Sequence, residues 1–395
     1  MLMTLVIFSG CFQNSPNEDL IHFTVSHSKE LGFNNVNFQE SGFDYLKKSI
    51  GDSEIVMFGE QAHGDESSYR AIAHIVQFLH MEMDFRVVLF ESDFYGLNHN
   101  YSLDTDPCQS LIKQKSKVYP FWAKSIELKY LFSHIENTCS GNNPMEINGF
   151  DCRIISKEAK ENMMDQLDIY LRDVSIDYGK SFNKSHFFEI LQNVLDNEYD
   201  SNVSEPFQEQ FLRVVLNIKE QFSPKSLEYM EIDNLHAYAK NAWRRQDVGK
   251  ERDRQMAENL LWLKQYRYPE KKIVVIAGCA HIMKETEGIY STSKKMGEYI
   301  KDSLRSGIYS IGFVSKSGRY KLFNNATQQI DSAIFGLQTC FPKSYDYAYL
   351  DIDSLKKADY EFYAPFLGHK NIRAPWGRAF DGVIYVKKAI VPEID

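Results

Sequence analysis

The sequence predicts an α/β protein: a mostly parallel central sheet flanked by helices, with a large helical insertion forming a second lobe over the active-site cleft. Three observations predict it. Apolar runs without polar alternation recur between amphipathic segments from residue 54 onward, and strands of that kind are buried on both faces, as in a parallel sheet. One stretch, about 156–263, holds almost nothing but helix-compatible, charge-rich sequence, far too long for a simple connection. Finally, acids and histidines gather where the apolar runs end, and open α/β sheets bind ligands outside the carboxyl ends of their strands.

Composition bounds the rest. A chain of 395 residues with 43% hydrophobic and 14% aromatic content buries a substantial core as one large domain or two ordinary ones. The balance of 45 Lys+Arg against 54 Asp+Glu gives a net charge of −9, so a basic nucleic-acid-binding face is not expected.

The first residues, MLMTLVIFSGC, form an apolar run too short to span a bilayer, which needs about 20 apolar residues. The run fits the hydrophobic region of an export signal, and Phe8-Ser9-Gly10-Cys11 resembles a bacterial lipobox. Two features depart from that pattern: no Lys or Arg precedes the run, and Phe8 replaces the usual Leu. Residues 1–22 are therefore read as signal and tether, and 23–395 as the domain. The expected localisation is the cell envelope, with membrane contact only through a lipid anchor at Cys11; the alternative is a cytoplasmic protein whose first residues form a buried strand or a tail. Cys108, Cys139, Cys152, Cys279 and Cys340 contain no CxxC pair, which leaves thiolate zinc and thioredoxin-type chemistry unsupported. Export would allow Cys108 to pair with Cys139; buried reduced thiols are the other reading.

Along the chain, residues 18–49 have helical periodicity, and 54–58 form the first strand. Residues 66–83 place Ile72, Ile75, Val76 and Leu79 at helical spacing, and 86–91 form a second strand, RVVLFE. The segment 98–144 is loop-rich and helical, with aromatic anchors in VYPFWAK, and leads to a short strand over 145–151. After the helical insertion come a strand at 272–277, a helix at 295–306 and a strand at 307–314. Shorter aromatic strands lie near Tyr320, Tyr349 and Tyr385.

The residues with chemical potential sit at these strand ends. His63 follows Gly59-Glu60-Gln61-Ala62 and precedes Gly64, an accessible turn where an imidazole of ordinary pKa near 6.5 can take a proton from water. A lone histidine is more often structural. Glu60 can orient that ring or act itself, although a carboxylate there also suits a helix N-terminus. Glu91 ends a wholly apolar strand, so it needs a proton or a partner such as Arg70 or another cation. Asp151 shares that logic, with turn capping as its plainer role. His281, in Gly278-Cys279-Ala280-His281, has the same address as His63. No G-x-S-x-G elbow, P-loop or dinucleotide fingerprint occurs.

The ordered series GEQAHG, the strand ending in Glu91, Gly149-Phe150-Asp151, RDRQMAENLLWL, AGCAHIMK and FDGVIYVKKA resembles the erythromycin esterase family, also known as succinoglycan biosynthesis-like proteins. The resemblance covers about 50–390. It implies an esterase that hydrolyses an ester or lactone ring with activated water, without a covalent intermediate or cofactor, and in some relatives confers antibiotic resistance. By position, His63 is the expected base with Glu60 beside it. Glu91 and His281 complete the catalytic set, and Arg70, Asp151 and Arg252 are expected at the substrate. Arg252 and Asp253 match the family's helix motif, where bracing the two lobes is an equal expectation.

One departure matters. Macrolide esterases carry His-Asn-Ala-His where this chain has Gly278-Cys279-Ala280-His281, so a macrolide substrate is not implied. That turn looks like the wider superfamily, which includes metal-dependent peptidases and haem-binding proteins. Two alternatives therefore stand: a hydrolase holding one divalent metal ion through Glu60, His63, Glu91 and His281, and a non-catalytic binding lipoprotein.

Overall fold

The computed structural model describes residues 17–33, 41–63, 65–99, 106–173, 176, 178, 182–197, 202–243, 250–289, 293–304, 307–321, 326–357 and 359–391. The lipobox at Cys11 and the turn residue Gly64 lie outside them. No described helix is long and apolar enough to cross a membrane. Residues 17–22, read from sequence as tether, enter the helix Glu18–His27, whose Leu20 is buried and whose first amides are capped by Asn17.

Among the described residues there are twelve strands: β1 (Ser28–Glu30), β2 (Ile55–Glu60), β3 (Phe85–Asp93), β4 (Glu146–Asp151), β5 (Lys272–Gly278), β6 (Ile308–Ser315), β7 (Arg319–Lys321), β8 (Thr327–Gln329), β9 (Tyr347–Asp351), β10 (Phe362–Leu367), β11 (Lys370–Ala374) and β12 (Gly382–Val386). Eight of them form one sheet in the order β1-β9-β12-β6-β2-β5-β3-β4. From β4 to β12 every neighbouring pair is parallel; only the pairs made by β9 are antiparallel. This is the expected α/β architecture. Its apolar strands are fully covered: alternate residues of β2 point to opposite sides, Met57 into one core and Phe58 into the other, both inaccessible to water. Truncating such a side chain to alanine costs about 2–5 kcal/mol.

Two strands run further than their apolar runs suggest. Gly59 and Glu60 pair with Ala277 and Gly278, so the parallel ladder carries Glu60 into the last rung of β2. Gly59 is required there, because a Cβ would stand 2.7 Å from Cys279 Cα. Likewise β3 continues past Glu91 to Asp93, which pairs with Asp151 and caps the short helix Phe94–Asn98 through the Gly96 amide. The β10–β11 hairpin has no counterpart in the sequence reading. Its turn, Gly368-His369, has positive φ at both residues, the conformation that a tight two-residue hairpin needs.

Between β4 and β5 the described residues form the helices Lys157–Asp173, Lys184–Asn197, Glu205–Lys219, Leu227–Trp243 and Lys250–Trp262. The first four share an apolar cluster of their own around Leu167, Leu191, Phe211 and Leu235, whereas the helix Lys250–Trp262 buries Met256 and Leu260 in the core beneath the sheet. Before β4, the helices Pro107–Lys117 and Leu128–Thr138 flank a single turn, Pro120–Ala123, and the Cys108–Cys139 disulfide joins their far ends. Cys152, Cys279 and Cys340 are free and buried.

Candidate functional site

The parallel register sets the site. Because Glu60 on β2 faces Gly278 on β5, and Glu91 lies one residue past the Phe90–Ile276 rung, three strand ends place their polar residues side by side. Glu60 is inaccessible to water and accepts His63 Nδ1–H at 2.5 Å on Oε1; the same oxygen accepts the Trp122 indole N–H at 3.1 Å. Its Oε2 is buried without a hydrogen-bond partner among the described residues. The His63 ring lies against Phe121, with centroids 4.5 Å apart, and edge-on to Trp122.

His281 forms a second carboxylate–imidazole pair. Its Nδ1–H donates to Asp253 Oδ1 at 2.6 Å, while Nε2 is 3.3 Å from Glu91 Oε1 and 3.3 Å from Arg252 Nη1. With a carboxylate at each nitrogen the ring holds a second proton, and the Nη1 approach is then proximity, not a hydrogen bond. Asp253 also accepts from the Lys295 ammonium at 3.1 Å and from the Met296 amide. Gly278 separates the two imidazoles: a Cβ there would lie 3.6 Å from His63 Cε1, 3.6 Å from His281 Cδ2 and 3.5 Å from Glu91 Oε2.

The Arg252 guanidinium, on the helix Lys250–Trp262, ties the two halves together. It donates to Glu91 Oε1 at 2.5 Å and, through two nitrogens, to Asp151 at 2.9 and 2.8 Å. Tyr119 donates to the same aspartate, and the Gly278 amide to Glu91 Oε2. Four buried acids, Glu60, Glu91, Asp151 and Asp253, thus face two permanent cations, Arg252 and Lys295. Protonated imidazoles supply the positive charge that the two cations leave lacking.

The titration directions follow. Burial opposes the charge on Glu91, yet His281, Arg252 and His63 outweigh it and hold the carboxyl well below its usual range. Burial similarly opposes ionised Asp253, but His281 and Lys295 keep it low. Burial also pulls both imidazoles down; Glu60 and Glu91 more than offset this for His63, and Glu91 and Asp253 for His281, so both are raised. Glu60, with no permanent cation against it among the described residues, is pushed up by burial. Asp93, beside Asp151, is pushed up to about 7 by burial.

Both histidines open on a cleft of about 460 Å³. Its lining includes Glu60, His63, Gly278 and His281 together with Tyr320, Lys321, Leu367 and Lys370 from β7 and the β10–β11 hairpin, whose Gly368 amide donates to the Gln61 carbonyl.

The structure therefore brings together Glu60, His63, Glu91 and His281. Arg252 and Asp151 are close behind them, but they are spent on each other and do not line the cleft. Arg70 is not brought to the site: its charge acts on His74 and Tyr347. It follows Tyr69, which is buried beside Glu60, and one residue turns a helix by about 100°. The cation expected at Glu91 is instead Arg252. Donor atoms of Glu60, His63, Glu91 and His281, the residues a metal ion would need, face protein partners. Glu60 Oε1 faces His63 and Trp122, His281 Nδ1 faces Asp253, and the Arg252 guanidinium lies against both Glu91 Oε1 and His281 Nε2. Among the described residues no group of three His, Cys, Asp or Glu is arranged to hold an ion.

Sequence reasoning passed over the partners of the two histidines. Trp122 read only as an aromatic anchor, and Asp253 only as part of a helix motif. The signal for Asp253 is an acid beside an arginine at the start of the helix that precedes β5.

With that geometry in view, the comparisons with known proteins are informative. The family model described as Erythromycin esterase matches residues 80–389, so Glu60 and His63 precede the matched segment. YbfO of Bacillus subtilis (strain 168), whose name carries a provisional hydrolase assignment, is 24% identical over 336 residues, covering 75% of this chain and 72% of that protein. Among solved structures, a succinoglycan biosynthesis protein superposes with a TM-score of 0.74 at 14% identity, over 96% of this chain and 98% of that one. A Bacillus cereus protein gives 0.68 at 15% identity, over 96% and 99%. A mutant of erythromycin esterase EreC in its open conformation gives 0.64 at 14% identity, over 89% and 95%. At such identities the superpositions carry the fold.

Proposed function

The chain belongs to the erythromycin esterase family, and from that premise we propose that it hydrolyses an ester or lactone with water activated by His63, without a covalent intermediate. One observation carries this reading: two carboxylate–imidazole pairs, Glu60–His63 and Asp253–His281, meet across Gly278 at the edge of one cleft. Glu60 fixes His63 Nδ1–H, which leaves Nε2 as the nitrogen that exchanges a proton with water. Water oxygen attacks the ester carbonyl carbon as its proton passes to His63 Nε2. The oxyanion that forms lies in the positive field of His281 and Arg252. On collapse the carbon–oxygen bond breaks and the leaving oxygen takes a proton from His281. Acid and alcohol are released, and the proton on His63 returns to His281 through solvent.

Family membership supports hydrolysis as the reaction class; the substrate is a separate proposal. The cleft lining includes the exposed Lys370 in a chain of net charge −9, and such local positive potential favours an ester that bears an anionic group. The loss of a side chain at Gly278, where macrolide esterases carry histidine, supports a substrate other than a macrolide. No step is routed through a metal, because the donor atoms face other partners. Export with a lipid anchor at Cys11 is likewise proposed, supported by the Cys108–Cys139 disulfide, a bond that persists in oxidising compartments.

A panel of esters and lactones, neutral and anionic, tests the reading, with hydrolysis followed by proton release in the presence and absence of a chelator. Turnover that survives chelation is expected. Turnover lost on chelation and restored by a divalent ion would favour the metal reading. No turnover of any member, with a ligand still raising Tm, would favour a binding protein.

A further inference from the structure

The segment between the helices Pro107–Lys117 and Leu128–Thr138 reaches both halves of the site. Trp122 donates to Glu60 Oε1, Phe121 covers the His63 ring, and the Tyr119 hydroxyl donates to Asp151, the acid that holds Arg252. Trp122 is fully buried, set against Phe90, and its ring lies parallel to that of Tyr119. The segment is also pinned from outside: the Tyr119 amide donates to Ser92 Oγ at 3.0 Å, and Ser125 Oγ to Glu66 at 2.6 Å. The two helices run out from this tip to the Cys108–Cys139 disulfide, 31 residues apart in sequence, so the loop closed by that bond contains all three aromatic residues. Both half-cystines are partly exposed, within reach of a soluble dithiol.

We propose that this hairpin is a positioning element, with Trp122 aligning the Glu60–His63 pair and the Cys108–Cys139 disulfide holding the tip in the site. The inference rests on the hydrolase reading for its effect on rate but not for its effect on His63, which is measurable without substrate. Closing a loop of this length removes freedom that would otherwise let the tip withdraw. The indole N–H draws charge from Glu60, so that the carboxylate pulls less on the His63 proton.

The test is an NMR titration of the His63 imidazole in three forms of the full chain: the wild type, Trp122→Phe, and the wild type reduced by dithiothreitol. In the last, the dithiol supplies two electrons and two protons to the disulfide and is itself oxidised. Trp122→Phe keeps an aromatic ring, though a smaller one, and removes the donor, so His63 titrates at higher pH. Reduction admits water to the pair, and His63 moves down toward the ordinary value of about 6.5. Cys108→Ser/Cys139→Ser reproduces the second shift without reductant. In ester hydrolysis the same forms lose kcat about 10-fold with little change in KM. A His63 titration unchanged by Trp122→Phe overturns the positioning role of the tip. One unchanged by reduction, in protein whose far-ultraviolet circular dichroism stays native, overturns the role of the disulfide even if Tm falls. If the titrations shift and no ester is cleaved, the hydrolase reading fails and the positioning element stands.

Discussion

The two carboxylate–imidazole pairs share an address and differ in surroundings. Each histidine follows a strand end, and each gives its Nδ1–H to an acid with no exposure to water. Phe121 and Trp122 pack against His63, and among the described residues Glu60 has no permanent cation of its own. Around His281 the partners are ionic: Asp253 on one nitrogen and Glu91 beside the other, with Lys295 and Arg252 completing the network. An imidazole held between two carboxylates keeps its proton and suits the role of acid. One held by a single acid that burial has made reluctant to ionise gives up its proton more readily and suits the role of base. The same residue type thus receives two roles from its environment.

Four changes sharpen or break that comparison. The largest effect is expected from His63→Ala, which removes the base and lowers kcat by about 10²–10⁴ for every ester hydrolysed, whatever its leaving group. His281→Ala is expected to cost about 10² for alkyl esters and much less for nitrophenyl esters, whose leaving oxygen needs no proton. Steady-state kinetics on the two ester classes checks both variants, and equal losses for both classes in His281→Ala would remove its role as acid. Gly278→Ala places a methyl group at ordinary contact distance from both rings, in the space between the two pairs. Activity is expected to fall at least about 10-fold while Tm hardly moves, because the contacts are not clashes; thermal unfolding beside kinetics reads this out. The smallest effect is expected from Lys370→Gln: about a 3-fold rise in KM for a carboxylate-bearing ester and none for its neutral analogue, the scale of an exposed charge interaction.

The legible part of this fold was its periodic part. Unbroken apolar runs announced β2, β3, β5 and β6, and the spacing of Ile72, Ile75, Val76 and Leu79 gave the helix Glu66–Met83. Short polar or edge elements, such as β1 and the β10–β11 hairpin, carry too few apolar residues to show a period. The hairpin also needs its partner strand before its turn has meaning. In the site, Glu60, His63, Glu91 and His281 were visible because strand termini concentrate polar residues next to glycine. Asp253 and Trp122 were not, because each acts on a residue far away in sequence. Only the packing of the helix Lys250–Trp262 and of the disulfide-closed hairpin onto the sheet creates those contacts. Arg70, expected at the substrate from the resemblance, has its charge directed at His74 and Tyr347 instead.

The assignment of base and acid is tested most directly by the pH dependence of kcat/KM in the wild type, Glu60→Gln and Asp253→Asn. The wild type is expected to give a bell, rising as His63 loses its proton and falling as His281 loses its own. Removing the Glu60 charge lowers the affinity of His63 for its proton, so the acidic limb moves to lower pH while the alkaline limb stays. Removing the Asp253 charge does the same to His281, so the alkaline limb moves to lower pH while the acidic limb stays. If Glu60→Gln moves the alkaline limb and Asp253→Asn the acidic one, the roles are reversed and this account of the site is wrong.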